Sequence, residues 1–387
     1  MDVLELQHIG QIQKARIEFG DLTVLVGPQA TGKSITLQLL KLLVDMRHVQ
    51  EDLRRHGLDW GGKLPEFLDL MLGEGMHSIW SEKSTIRWQN RDVDMVARAK
   101  RRIKAPELGQ GEQMFFIPAQ RVLTLRDGWP RPFTDYSAGD PFAVREFSEK
   151  LRLLMEQEFV QGDQLFPRAN RLKQIYRDEL RAHVFAGFDL KVDRSRPQKR
   201  MVLGNAHGEL PFMVWSAGQR EFMPLLLGLY WLMPPGRMAK RKSVDWVVVE
   251  ELEMGLHPRA ISLMLLLVLE LLSRGYRVCL STHSPQVLEM VWALNHLREQ
   301  NSSESKLGRL FDVQAGTQLK AVFHDTMKRV FKVYYFERDG AVRNISGLDP
   351  GSTESFVAGW GGLTDFSARA NEVVASAVAD GLRRRKA

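Results

Sequence analysis

The residues with the clearest chemical potential are eight consecutive ones, GPQATGKS, at positions 27–34. They fit the pattern G-x-x-x-x-G-K-[ST], in which backbone amides surround phosphate oxygens. The pattern predicts that Lys33 reaches the β- and γ-phosphates of ATP and that the Ser34 hydroxyl ligates Mg²⁺. The other residues predicted to enclose the phosphates are Gly27, Pro28, Gln29, Ala30, Thr31 and Gly32.

A second segment that could take part in chemistry is VVVEELEMGLHP, residues 247–258, in which an apolar run ends at two adjacent acids. A phosphate loop of this kind works with a second strand whose terminal acids lie near the same magnesium ion. Glu250 is therefore predicted to hold Mg²⁺ through water, because a glutamate is one methylene longer than the usual aspartate. Glu251 is predicted to orient or deprotonate the attacking water. The alternative is a buried strand with solvated acids, and Glu253 could then only cap the next turn.

Two shorter stretches fit the same site. WSAGQ places Ser216, Gly218 and Gln219 at the start of an apolar helix, a combination that can bind phosphate. VCLSTHSP places His283 just after a buried strand, where it can contact a γ-phosphate. Each is weak alone, since serine and glycine often begin helices and a single histidine is usually structural. The order of all four motifs favours one ATP site.

The surrounding pattern indicates the elements that must position these residues. VLELQHI, KARIEF and LTVLV predict strands, and an apolar-periodic helix follows from Ile35. MFFIPAQR predicts another buried strand. FAVREFSEKLRLLMEQEF and ANRLKQIYRDELRAHVF predict two amphipathic helices joined by a turn. FDLKVDRS and KRMVLGN predict a strand pair, and FKVYYFERDGAVRNIS predicts a hairpin that turns at Asp339 and Gly340.

Composition restricts the class of protein. Of 387 residues, 44% are hydrophobic and 26% charged, which is typical of a soluble globular protein. The longest apolar runs are shorter than the roughly 20 residues that a membrane span needs. A single cysteine, Cys279, favours the reducing cytoplasm. The net charge of +7 leaves nucleic-acid binding open, although the basic residues are scattered rather than clustered.

Together, GPQATGKS, WSAGQ, VVVEELEMGLHP and STHSP resemble the ABC-type ATPase heads. EELEMGLHP and FFIPAQR are most similar to the OLD-like proteins within the branch that also holds RecF-like and SMC-like proteins. The resemblance implies an α/β fold: a P-loop ABC-type ATPase head with helical insertions and a small α+β C-terminal unit. The implied parts are the head in residues 1–45, 112–143 and 186–300, an insertion in 46–111, a helical arm in 144–185 and the C-terminal subdomain in 301–387.

The resemblance also implies roles for individual residues. Ser216, Gly218 and Gln219 would be the signature motif that completes the ATP site of a second subunit, so the chain would form a homo-oligomer. His283 would be the switch histidine and Gln120 the Q-loop glutamine, and the turn at 256–258 would lie at the dimer seam. The sequence departs from the family pattern at three positions, none of which is a ligand: Trp215, Ala217 and Leu252.

The sequence after His283 limits which of these ATPase groups the chain resembles. OLD-type nucleases carry a Toprim nuclease that needs a D-x-D metal motif, and no D-x-D follows His283; one at 92–94 lies upstream. WGGLTDFSARANEVV is similar to the tail of the ATPase subunits of the PARIS phage-defence system. That similarity implies a homo-oligomeric sensor that holds a separate Toprim nuclease until a phage protein triggers its release. The alternative is a RecF-like DNA-binding repair ATPase; a transporter motor is disfavoured.

Overall fold

The computed structural model describes residues 2–101, 111–159, 162–195, 198–235, 240–314, 316–353, 355–363, 367, 369–375 and 377. Its strands are β1 Val3–Ile9, β2 Ile12–Glu18, β3 Leu22–Val26, β4 Thr85–Trp88, β5 Arg91–Asp92, β6 Met114–Ile117, β7 Leu125–Arg126, β8 Trp129–Pro130, β9 Gln164–Phe166, β10 Asp189–Asp193, β11 Arg200–Asn205, β12 Gly208–Pro211, β13 Trp246–Glu250, β14 Arg277–Thr282, β15 Phe331–Phe336 and β16 Val342–Asn344.

The helices are α1 Lys33–Arg55, α2 Leu64–Leu72, α3 Met95–Lys100, α4 Phe142–Gln157, α5 Gln174–His183, α6 Ala217–Leu232, α7 Pro258–Ser273, α8 Pro285–Glu299, α9 Ser305–Leu310, α10 Thr317–Thr326 and α11 Ser355–Ala358. None of the helices in the described ranges is both long and apolar enough to cross a membrane.

The central sheet has the strand order β16-β15-β3-β14-β13-β6. All of its strands run parallel except β16, which is antiparallel to β15. Strands β3 and β13 are buried along their whole length, as their apolar sequences LTVLV and WVVV require in a sheet covered on both faces. The carboxyl ends of β3, β14, β13 and β6 therefore meet at one edge, where ligands bind in open α/β sheets. The predicted α/β class is confirmed.

Helices cover both faces of this sheet. Alternate strand residues such as Leu25 and Val248 pack against α1 on one face, with its Leu37 and Leu40. Their neighbours pack on the other face against α6, α7 and α8. The two-residue period of the strands thus divides one apolar run between two core layers. The apolar stretches that were too short for membrane spans are the buried helices α6 and α7.

Two antiparallel sheets flank the central one, in the orders β2-β1-β4-β5 and β12-β11-β10-β9. β4 comes from the expected insertion at 46–111 and pairs with β1, with Leu4 opposite Trp88. Helix α1 also runs past the expected boundary at residue 45 and only kinks there, where Asp45 has φ −117° and ψ 23°. The expected insertion is therefore continuous in structure with the N-terminal part of the head.

The predicted hairpin at 331–346 forms, but it belongs to the central sheet. Its first strand, β15, pairs in parallel with β3, with Phe331 opposite Leu22. This part of the expected C-terminal subdomain therefore lies inside the sheet of the head, because pairing with β3 buries its apolar residues. Positions 378–387 of that subdomain, and part of the stretch WGGLTDFSARANEVV, lie outside the described residues.

The two helices predicted at 142–159 and 169–185 form, but their connection differs from the prediction. α4 and α5 are not joined by a simple turn, because β9 lies between them and pairs with β10. α5 begins at Gln174, after the residues ANRLK, which form turns. The expected helical arm is therefore shorter and is attached to the sheet that also holds β10 and β11.

A buried charge cluster joins α1, β6 and α4 away from the phosphate loop. The Lys41 ammonium is fully buried and lies 2.8 Å from Asp45, 2.9 Å from Glu112 and 3.2 Å from Glu146. Burial alone would lower the pKa of Lys41, but the three carboxylates raise it well above its usual value. His48, Glu112 and Glu146 are close enough to share a cation. The ammonium groups of Lys41 and Lys150 already pair with both of these carboxylates.

We expect Lys41→Met to lower the free energy of unfolding by about 3–5 kcal/mol, since it removes a fully buried cation and leaves the buried Asp45 carboxylate without the ammonium that lies 2.8 Å from it. Arg55→Met, on the same helix, is the control: Arg55 pairs with Asp52 while 69% of its side chain is exposed, so we expect a loss below about 1 kcal/mol. Urea unfolding of both variants measures the difference. Equal losses would show that the Lys41 cluster contributes no more than a surface ion pair.

Candidate nucleotide site

The phosphate loop follows β3 and depends on its two motif glycines. Gly27 has φ 141° and Gly32 has φ 98°, in the region that disfavours other residues. A Cβ atom on Gly27 would lie 2.4 Å from the carbonyl oxygen of Phe336, and one on Gly32 would lie 2.6 Å from Cγ1 of Ile12. Both positions therefore require glycine for two reasons, the backbone conformation and the close neighbour.

Lys33 is the first residue of α1 and is almost completely buried. Its Nζ donates hydrogen bonds to the carbonyl oxygens of Gly27 at 2.8 Å and Pro28 at 2.6 Å. Burial lowers the pKa of Lys33, while Glu251 and Glu253 oppose that shift. The ammonium is thus held inside the loop, and the positive end of α1 points at the same space.

Glu250 ends β13 and is 1% exposed. Its Oε2 accepts a hydrogen bond from the Ala119 amide at 3.2 Å. Its Oε1 is buried and accepts no hydrogen bond from the residues that the structure describes. Burial raises the pKa of Glu250, and the Ser34 hydroxyl beside it works against that rise. A buried, incompletely compensated carboxylate next to a serine hydroxyl suits Mg²⁺, which prefers oxygen ligands.

Glu251 occupies an uncommon backbone conformation, with φ 45°. Its amide donates to the Ser281 carbonyl at 3.0 Å, and its Oε1 lies 3.4 Å from Nε2 of His283. Burial raises the pKa of Glu251 to about 7, the charge of Glu253 adds to the rise, and Lys33 opposes it. A carboxylate with a pKa near neutrality is well suited to accept a proton.

The residues after β14 are held by Glu253. Its Oε1 accepts hydrogen bonds from the Thr282 hydroxyl at 2.8 Å and from the His283 amide at 2.6 Å. Burial and the charge of Lys33 lower the pKa of His283, so its imidazole is neutral at neutral pH. The alternative that Glu253 only caps its own turn is therefore wrong, because its side chain connects the end of β13 to the end of β14.

The signature residues form the start of α6. Ser216 Oγ accepts from the Gln219 amide at 3.2 Å, and Gln219 Oε1 accepts from the Ser216 amide at 3.0 Å. This reciprocal capping box explains the helix start, while Ser216 stays exposed. In the described part of the chain, no hydrogen bond joins Ser216 or Gln219 to the phosphate loop. Gly218 instead packs against the turn after β13, where its Cβ would lie 2.6 Å from the Gly255 oxygen.

Gln120 lies one residue beyond Ala119, whose amide contacts Glu250. It precedes the short 3₁₀ helix Arg121–Thr124, and its exposed side chain makes no capping hydrogen bond. The structure thus places Gln120 beside the site, and its role as the Q-loop glutamine stays a prediction. Asp94 of the upstream D-x-D caps α3 by accepting from the Ala97 amide, as a surface turn would.

Sequence reasoning missed Arg121 as a residue of this site. Its side chain is fully buried and donates to the carbonyl oxygens of Glu250 at 2.9 Å and Glu251 at 3.0 Å. The available signal was an arginine four positions after the buried strand MFFI. A charge at that position needs buried partners, and the ends of neighbouring parallel strands can supply them.

A family model described as "AAA domain, putative AbiEii toxin, Type IV TA system" matches residues 22–289. No curated protein matches the sequence. Among solved structures, "SmcHead bound to the C-winged helix domain of ScpA" is 11% identical, with 88% of this chain and 95% of that chain covered and a TM-score of 0.40.

Two further SMC heads have similar statistics. The SMC head domain from Thermotoga maritima is 12% identical, with 75% and 92% covered and a TM-score of 0.29. The Smc head domain with an extended coiled coil, bound to the C-terminal domain of ScpA and derived from Pyrococcus furiosus, is 10% identical, with 89% and 96% covered and a TM-score of 0.33. The family match covers well over half of the chain and includes the phosphate loop, the signature, both acids and the histidine. The chain therefore belongs to this AAA-domain family and has a mixed α/β, P-loop fold.

Proposed function

We propose that the protein binds ATP with Mg²⁺ and hydrolyses it to ADP and phosphate. The observation that carries this proposal is the position of Glu251, which lies 3.4 Å from His283 at the sheet edge that also holds Lys33. An acid with a pKa near 7, a neutral histidine and a buried ammonium are the groups that hydrolysis of a phosphoanhydride requires.

Each group has a distinct task in this mechanism. Lys33 moves from the loop carbonyls to the β- and γ-phosphates, whose negative charge is the better partner for its ammonium. Ser34 and Glu250 would hold Mg²⁺, which supplies positive charge next to the phosphate oxygens when it is bound. Glu251 takes a proton from the attacking water, and His283 can donate from Nε2 to a γ-phosphate oxygen.

The site of one chain is open on the side where a signature motif would close it. Ser216 is exposed at the start of α6, and no hydrogen bond of the described chain connects it to Lys33. Two adjacent apolar residues, Met213 and Val214, are 68% and 62% exposed. These features support a homo-oligomer in which Ser216 of one copy closes over the nucleotide of another.

We further propose a biological role, in which the assembly is a cytoplasmic sensor and scaffold that controls a separate effector in anti-phage defence. A Toprim nuclease is the proposed effector and a phage protein the proposed trigger. The family description names a putative toxin and a Type IV TA system.

A second candidate is a RecF-like DNA-binding repair ATPase, which the net charge of +7 favours. The two candidates differ in how binding depends on salt. Neutralisation of several phosphates makes DNA affinity fall steeply as salt rises. Steep, salt-dependent duplex binding with no associated protein favours the repair function.

The two acids should give different phenotypes. Glu251→Gln should bind ATP normally and lose hydrolysis, because the amide cannot take a proton. Glu250→Gln should instead raise the Mg²⁺ concentration needed for activity. Equilibrium nucleotide binding and a magnesium titration of the ATPase rate distinguish these results. If the phenotypes are exchanged, the assigned roles of the two acids are reversed. Tagged Glu251→Gln, which holds ATP, is also the form with which to isolate the effector from cells.

The ATPase should gain activity as pH rises through about 7, because Glu251 acts only when ionised and its pKa is about 7. The variable to measure is kcat/KM, which reports pKa values of the free enzyme. Glu253→Gln removes a negative charge that raises this pKa, so the half-maximal pH should fall. Its amide oxygen can still accept the bonds from Thr282 and His283. An unchanged half-maximal pH in this variant would contradict the assignment of Glu251 as the proton acceptor.

A composite site predicts complementation between two inactive chains. Ser216→Arg should bind ATP without hydrolysis, since a bulky cation fills the closing surface. Lys33→Ala should not bind ATP. A mixture should regain one working site per mixed pair, formed by Lys33 of one chain and Ser216 of the other. The ATPase rate across mixing ratios tests this, after subunit exchange is verified. Mixed assemblies without activity at any ratio would contradict the composite site.

A further inference from the structure

Arg121 links the signature helix to the ends of the acidic strand. Its Nη1 and Nη2 donate to the carbonyl oxygens of Glu250 and Glu251, at 2.9 Å and 3.0 Å. Its Nε donates to the carbonyl oxygen of Glu221 on α6 at 3.2 Å and lies 3.8 Å from the carboxylate of the same residue. One planar guanidinium thus fixes the relative position of two elements.

Burial of an arginine side chain costs more free energy than joining the same two elements through apolar packing. Arg121 is fully buried, and burial lowers its pKa against the opposing charge of Glu221. Oε2 of Glu221 is also buried and has no hydrogen-bond partner among the described residues. The fork geometry of a guanidinium, which neither lysine nor an apolar side chain provides, fits the three carbonyl acceptors. This geometry indicates a positioning task.

The start of α6 rests directly on the turn that follows Glu251. A Cβ on Gly218 would lie 2.6 Å from the Gly255 oxygen, and one on Gly255 would lie 3.2 Å from Cγ of Glu221. The first turn of α6 and the turn after β13 are therefore packed in direct contact. A displacement of the first turn of α6 would press on the turn after β13.

The backbone of Glu251 is sensitive to such a shift. Its φ of 45° is unfavourable for a residue with a side chain, so outside contacts must hold it. Its amide donates to Ser281 and its carbonyl oxygen accepts from Arg121. The Glu251 amide also lies 3.3 Å from the Ser281 hydroxyl, and the Glu251 carbonyl oxygen also accepts from the Met254 amide at 3.1 Å. Loss of the Arg121 contact removes one of these restraints, and we expect the carboxylate to shift from its place 3.4 Å from His283.

We propose that Arg121 is a positioning residue that holds the catalytic acid of its own chain. Its guanidinium ties the backbone of Glu250 and Glu251 to α6, and this contact keeps the Glu251 carboxylate beside His283. The inference rests on the proposed function, because it needs Glu251 to act as the proton acceptor in hydrolysis.

The test uses complementing chains and places Arg121→Lys on one chain at a time. The substitution keeps the charge and loses the fork. On the Ser216→Arg chain, which supplies Lys33 and Glu251 to the working site, it should lower kcat about tenfold or more while ATP affinity changes less than about twofold. On the Lys33→Ala chain, which supplies only Ser216, the mixture should keep at least about half of its rate.

The possible outcomes separate the alternatives. A loss from the second placement alone would mean that Arg121 only supports the signature helix, and this would overturn the proposal. Equal losses from the two placements, or no loss from either, would overturn it as well. If the Arg121→Lys chain does not fold, as judged by its melting temperature, Glu221→Gln replaces it. That variant keeps the carbonyl acceptor and weakens the ion pair, and we expect about a threefold loss of kcat in the first placement only.

Failure of the composite site is detected separately. The mixture of Lys33→Ala and Ser216→Arg chains with Arg121 intact must regain activity; if it does not, the composite site fails independently of Arg121. In that case the positioning role is tested by Arg121→Lys in the otherwise unchanged protein. A fall in kcat at constant ATP affinity supports positioning, whereas weaker ATP binding at constant kcat overturns it.

Discussion

The parallel register of β3, β14 and β13 is the constraint on which the site depends. Hydrogen bonding sets Val26 beside Thr282 and Glu250 beside Ser281, so three strands distant in sequence end at the same level. This register brings the residues at the strand ends together, and the hydrogen bond between Thr282 and Glu253 then joins two of those ends. A shift of one residue in either pairing would turn the buried carboxylate of Glu250 to the opposite face of the sheet.

Buried carboxylates lie in two different environments in this protein. Around Lys41, three carboxylates lie within 3.2 Å of its ammonium, and a second ammonium, that of Lys150, pairs with two of them. At the site, Glu250 and Glu253 each keep a buried oxygen without a hydrogen-bond partner in the described residues. Leaving a buried oxygen without a hydrogen bond costs free energy. These two oxygens lie at the sheet edge that also holds Lys33.

The local sequence was sufficient to predict much of this site. The phosphate loop could be predicted because its glycines and lysine act on one short segment, and Glu250, Glu251 and His283 because each directly follows an apolar strand. Pairing between distant segments could not be predicted. Nothing in FKVYYF indicates that it lies beside LTVLV, and the three-residue strand β9 is too short for a periodic signal. Arg121 and Glu253 were missed for the same reason, since their partners are about 130 and 30 residues away.

The contact between Gly27 and Phe336 has a consequence for synthesis of the protein. The phosphate loop lies against the carbonyl of a residue that is encoded more than three hundred positions later, at the end of β15. During translation the loop, the lysine and both acids leave the ribosome well before the strand that supports them. A nascent chain therefore carries Lys33, Glu250 and Glu251 before Phe336 is available to support the loop. Any ligand that needs the finished loop can assist folding only after β15 has been made.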